Sequence, residues 1–229
     1  MHVSVVTEPT SLRQHHPLGA STGYMVDHRG DWPRLIEEAT AVSSFAVEFT
    51  ALSEREFPAL LDYLASGPAL PFRYVSVHGP TKDRRMPESE LVAVLDDMPA
   101  FIDAMVLHPD LIEDVAAYKP LGSRLVIENM DARKSAGRTA DELERFFDEL
   151  PAAGFCFDVP HAWSVDPSME MGHDLLSRFT SRLREVHISS VTDECHHEAL
   201  TVEHEELFGP LLARCTDVPW ILEAPLRES

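Results

Sequence analysis

Leu125-Val126-Ile127-Glu128, then Thr139-Ala140-Asp141-Glu142-Leu143, then Phe155-Cys156-Phe157-Asp158: this stretch sets the fold. Two short apolar, β-rich runs each end in a carboxylate, with a helical segment between them. Thr139 to Glu142 has the form of a capping box, and Leu143, Phe146, Phe147 and Leu150 follow at the i, i+3, i+4, i+7 spacing of one helix face. Strand, helix and strand at this separation make a βαβ unit, which implies a parallel sheet covered by helices.

The same pattern extends in both directions. His78 closes Tyr74-Val75-Ser76-Val77, His108 closes Met105-Val106-Leu107, His187 follows Val186, and Glu223 closes Trp220-Ile221-Leu222. Candidate strands centre near Ala20, Val47, Val75, Val106, Val126, Phe157, Val186 and Leu222, at roughly thirty-residue intervals, the length of a βα unit. Helical signals fall between them. Pro33 stands in the first turn of a helix bearing Leu35, Ile36 and Ala39, and Ser53 with Glu56 gives a capping signal ahead of Phe57, Leu60, Leu61 and Leu64. An open doubly wound sheet binds ligand at one switch point, which would leave polar tips on six separate strands without a common purpose. In a barrel, those tips converge at the carboxyl end. The expectation is therefore α/β, a single-domain (β/α)8 TIM barrel over residues 17–229. Residues 1–16 form an N-terminal extension with a possible short strand at Val3 to Val6.

A chain of 229 residues suits one such barrel. Its formal charge of −20 disfavours nucleic acid or an anionic membrane as the main partner, because phosphate binding needs neutralising Lys and Arg. Divalent metals would reverse that sign locally inside a site. The three cysteines, Cys156, Cys195 and Cys215, have neither the number nor the spacing of a disulfide framework or a Cys-rich zinc site. No signal peptide or transmembrane span is visible, so a cytoplasmic protein is expected. The oligomeric state is not legible.

Glu128, Asp158, His187 and Glu223 form the centre of the candidate site. Taken singly, each has a structural explanation, as a helix cap or a hydrogen-bonded core histidine. Together, three carboxylates converging without a cation would repel one another, and a metal removes that cost. Such a donor set suits Mn, Mg, Co, Fe or Zn and leaves positions open for a substrate's oxygens. A second layer comprises His78, His108, His161 in Asp158-Val159-Pro160-His161, and Asp193, His196 and His197 beyond the seventh strand. It would either complete a further metal site sharing Glu128 or bind substrate and move protons.

These motifs, with Val77-His78-Gly79, Leu107-His108-Pro109, Ile127-Glu128-Asn129 and Val186-His187-Ile188, resemble the xylose isomerase-like TIM barrels over about Leu18 to Leu226. That family includes sugar isomerases, sugar epimerases and endonuclease IV. The resemblance implies that Glu128, Asp158, His187 and Glu223 hold one divalent metal. It also implies that Glu128 and Glu223 move protons on a sugar carbon and that His161 touches substrate. The endonuclease IV pattern instead gives His78 and His108 to a second metal with Glu128, and His161 to a third with an Asp-x-His pair. That pair is broken here: with His197 as its histidine, Cys195 occupies the aspartate position, leaving Asp193 or His196 as substitutes.

The first expectation is isomerisation or epimerisation of a small sugar or sugar phosphate. Lys82, Arg84, Arg85, Arg133 and Lys134 are candidates to receive a phosphate. The alternative is phosphoester hydrolysis by a multinuclear zinc site. Behind it come an iron-dependent oxidative enzyme and a non-catalytic ligand-binding barrel.

Overall fold

The computed structural model describes residues 16–192 and 194–225. The proposed strand at Val3 to Val6 and the candidate ligand Asp193 lie outside them. Eight parallel strands close into a barrel in the order β1-β10-β7-β6-β5-β4-β3-β2. They are β1 (Leu18–Ser21), β2 (Ala46–Thr50), β3 (Tyr74–His78), β4 (Ala104–Leu107), β5 (Leu125–Glu128), β6 (Gly154–Asp158), β7 (Leu183–Ile188) and β10 (Trp220–Leu222). All eight expected strands are present. The short strands β8 (Ser190–Val191) and β9 (His197–Glu198) form an antiparallel hairpin above β7. Closure joins β1 to both β2 and β10 at Gly19, where a Cβ would lie 2.7 Å from Ala46 Cβ and 2.7 Å from Ile221 Cδ1.

The helices are α1 (Trp32–Val42), α2 (Phe57–Ala65), α3 (Glu88–Asp96), α4 (Ala140–Glu149), α5 (Val159–Val165), α6 (Glu170–Phe179) and α7 (Val202–Leu212). Pro33 lies in the first turn of α1, behind the N-cap Asp31. At α4, Thr139 caps Glu142 N as expected, whereas the Glu142 carboxylate takes Arg138 N (2.7 Å), one residue outside the helix. The Ser53 capping signal is corrected. Here α2 starts at Phe57 without a side-chain cap, and Ser53 to Glu56 is a turn in which Glu56 accepts from Ser53 N (3.2 Å). Phe57 needs no cap to be recruited, because it is fully buried and carries the helix onto the barrel.

Strand alternation divides the core. On β6, Phe155 and Phe157 point outward, and Phe155 packs on Phe147 of α4 and Phe179 of α6. Cys156 joins Ala104, Val106 and Val126 in a small apolar cluster with Tyr74. Barrel interiors are ordinarily filled by bulky branched side chains. Here the apolar filling is small, and Glu48, Ser76, Glu185 and His187 share the buried space.

Candidate metal centre

Glu128, at the tip of β5, is the hub. Its Oε2 lies 3.1 Å from His78 Nε2 and 3.3 Å from His108 Nε2. Its Oε1 lies 3.1 Å from His161 Nδ1 and 3.7 Å from His187 Nδ1. Around His187 Nδ1 stand Asp158 Oδ2 at 3.8 Å and Glu223 Oε1 at 3.4 Å. Six strand ends, on β3, β5, β6 and β7 and just past β4 and β10, therefore meet at one point. His197, on β9, reaches the edge of the group, its Nδ1 3.4 Å from Glu223 Oε2 and 2.8 Å from Ser189 Oγ.

Local structure fixes these directions. Asp158 is both a helix cap and part of the centre: Oδ1 accepts from His161 N (2.5 Å), and Oδ2 lies between His161 Nδ1 (3.4 Å) and His187 Nδ1 (3.8 Å). Asn129 bonds Asp158 from both sides, donating Nδ2 to its carbonyl (2.8 Å) and accepting its N–H at Oδ1 (2.9 Å). Each inward imidazole also has an oxygen behind it. His78 Nδ1 meets Gly79 O at 2.9 Å. His108 Nδ1 lies 3.8 Å from Asp110, which Lys134 holds at 2.9 Å. His187 Nε2 faces Glu48 Oε2 at 3.1 Å.

Electrostatics couples the members. Burial pushes Glu128 up, but His108, His161 and His187 outweigh it and hold the carboxyl well below the usual range. Burial is likewise outweighed at His78, raised to about 9 by Glu128 and Glu48, and at His161, raised to about 10 by Asp158 and Glu128. Asp158 is pushed well up by burial and by the neighbouring Glu223 and Glu128. Among the described residues no Lys or Arg pairs with Glu128, Asp158 or Glu223, so imidazoles carry the compensating charge.

The donor chemistry fits a divalent cation. Asp158 Oδ2, His187 Nδ1 and Glu223 Oε2 are buried without a hydrogen-bond partner. Atoms about 2.1 Å from a tetrahedral ion sit roughly 3.4 Å apart, close to the spacings around His187. Two groups have ligand atoms within 4.8 Å of one another and share Glu128: His78, His108, Glu128, and Glu128, Asp158, His187. Of the outer candidates, His161 turns its Nε2 to Asp131 (3.8 Å) and its ring lies 5.7 Å from that of His197, His196 is exposed at the cavity mouth, and Cys195 lies in a left-handed turn (φ 58°).

A cavity of about 740 Å³ opens above the centre, with Ser21, Thr50, His78, His161 and Glu223 in its wall. Of the expected phosphate-binding cations, Lys82, Arg133 and Lys134 line the cavity, the last two already paired with carboxylates. Arg133 is tied to Asp131, Lys134 to Asp110, and Arg84 donates to Leu111 O. The expectations missed Glu48, Glu185 and Asp131, all buried. Their signal was available for the first two, as single carboxylates inside Ala46-Val47-Glu48-Phe49-Thr50 and Leu183-Arg184-Glu185-Val186.

A closed parallel (β/α)8 barrel with histidines and carboxylates gathered at its carboxyl face is the arrangement of TIM-barrel sites. The chain belongs to the xylose isomerase-like TIM barrel family, whose model matches residues 110–225. Similar solved structures include endonuclease IV from Thermus thermophilus, with 22% identity, 84% of this chain and 87% of that chain covered, and a TM-score of 0.56. A proposed sugar phosphate isomerase/epimerase from Anabaena variabilis is 16% identical, with 91% and 84% covered and a TM-score of 0.59. At these identities the likeness is one of fold. No curated protein matches by sequence. Among the described residues no helix is long and apolar enough to cross a membrane.

Proposed function

We propose that the protein is a divalent-metal-dependent enzyme that isomerises or epimerises a small sugar or sugar phosphate. The observation that supports this most is the pair Glu128 and Glu223, whose Oε1 atoms lie 3.7 Å and 3.4 Å from His187 Nδ1 at the cavity floor. A cation held by Glu128, Asp158, His187 and Glu223 would stabilise negative charge developing on a substrate carbonyl and its neighbouring hydroxyl. Glu128 and Glu223, both held below the usual carboxylate range against the effect of burial, are ionised, and in this reading they exchange the carbon-bound proton. The hydroxyls of Ser21 and Thr50 in the wall suit a polyol.

A second reading, phosphoester hydrolysis with paired metals, is favoured by His78 and His108 on the other oxygen of Glu128. The net charge and the internally paired cations at the mouth point to a small phosphodiester rather than duplex DNA. Metal content by elemental analysis comes first. The protein loaded with Mn, Co or Zn is then incubated in D2O with aldoses, ketoses and their phosphates, and separately with bis-p-nitrophenyl phosphate. Deuterium appearing on the carbon beside the carbonyl supports the first reading. Ester cleavage without carbon exchange favours the second, and neither reaction in metal-loaded protein overturns both.

A further inference from the structure

Beneath the centre, the barrel interior holds a second polar layer. Glu48 of β2 and Glu185 of β7 are completely buried on either side of His187, with oxygens 3.1 Å and 3.6 Å from its Nε2. No Lys or Arg pairs with either among the described residues. The two carboxylates are held differently. Glu48 Oε1 accepts from Thr50 Oγ1 (3.2 Å), and Thr50 Oγ1 shares a hydrogen bond with Ser21 Oγ (2.8 Å) in the cavity wall. Glu185 instead stands beside the Tyr74 hydroxyl and His187, without a well-aligned hydrogen bond to either. Glu48 Oε2 is the nearer of the two carboxylate oxygens to His187 Nε2, close but poorly aligned, and a small rotation of the imidazole would complete that hydrogen bond.

Imidazoles that ligate a metal commonly donate their second N–H to a carboxylate or carbonyl, which fixes the ring and raises its donor strength. His78 and His108 have a carbonyl and a carboxylate in that place. We propose that Glu48 is the positioning residue of the centre: it holds His187 Nε2 so that Nδ1 faces Glu128, Asp158 and Glu223, and the Ser21–Thr50 pair braces it from the cavity wall. The inference rests on reading those residues as a metal centre. It assigns to Ser21 and Thr50 a role in metal retention that reaches His187 through one carboxylate.

The test measures zinc affinity by chelator competition and the visible spectrum of cobalt-loaded protein for wild type, E48A, E48Q, T50V and E185Q. Melting temperatures in EDTA report the metal-free fold. E48A is expected to weaken zinc about ten- to a hundredfold and to alter the cobalt spectrum. E48Q, whose amide oxygen still accepts from Nε2–H, recovers most of the affinity, and E185Q stays within about twofold of wild type. A purely structural role would lower the EDTA melting temperature of E48A and leave the zinc affinity of the folded fraction alone; that result overturns the inference. A loss in E185Q in place of E48A also overturns it. Should E48A fail to fold, T50V carries the test through a smaller loss, and unchanged affinity there is the contrary result. Wild-type protein that takes up neither zinc nor cobalt overturns the centre itself, an outcome distinct from normal uptake that ignores Glu48.

Discussion

Glu128 touches four imidazoles with two oxygens, and the remaining charges are arranged around it. Glu128→Gln keeps the shape and removes the charge. We expect no measurable turnover in either the carbon-exchange or the phosphodiester assay, with an unchanged far-UV circular dichroism spectrum. Undiminished turnover would remove Glu128 from the chemistry. The histidines give a second prediction. His78 rises from 6.5 to about 9 and His161 from 6.5 to about 10. Both are therefore protonated at neutral pH in the metal-free protein, and a cation must displace the proton on His78 to use its nitrogen. Calorimetry at pH 7 in buffers of different ionisation enthalpy should show net proton release, with affinity rising as pH increases from 6 to 9. The stability sign is opposite. A folded pKa raised above the unfolded value contributes stability that is complete below about 6.5 and lost as pH rises through the folded value. These two groups should therefore lower the melting temperature in EDTA between pH 7 and 10.

At the scale of elements, the site depends on how neighbouring strand ends are tied. Asn129 joins the end of β5 to that of β6 through both polar groups of the Asp158 backbone. Asn129→Ala would leave a buried N–H and carbonyl unpaired, at a cost of about 2–4 kcal/mol. Urea unfolding at neutral pH would measure it, and a loss below about 1 kcal/mol would mean that the two groups find other partners. Strands and their polar tips were legible in the sequence because the same ending in His, Asp or Glu recurs on six apolar runs, although each ending alone has an ordinary structural explanation. The start of α2 was not, since Ser53 and Glu56 satisfy the same sequence pattern in a turn as in a cap. Glu48 and Glu185 left a signal, single carboxylates inside apolar runs, but they stand within strands rather than at their ends, and closure of the sheet turns their side chains inward. The hub role of Glu128 likewise depends on distances between strands far apart in the chain.

For the whole molecule, closure at Gly19 is the most exacting contact. Gly19→Ala would press a methyl against Ala46 and Ile221 where β1 meets β2 and β10, costing on the order of 1–3 kcal/mol. Thermal unfolding would register this as a lower midpoint, and an unchanged midpoint would mean that the seam can widen. The seam also has a temporal side. Protein synthesis delivers β1 first among these strands and β10 last, so a nascent chain that ends at β7 presents two raw sheet margins and lacks Glu223. Pairing so distant in the chain is slow to form and leaves the unfinished sheet open to association with other chains. Until the ribosome releases the segment carrying Trp220 to Glu223, the growing polypeptide has neither a sealed cylinder nor the full cluster of buried carboxylates and imidazoles, and at that stage its need for a chaperone should be greatest.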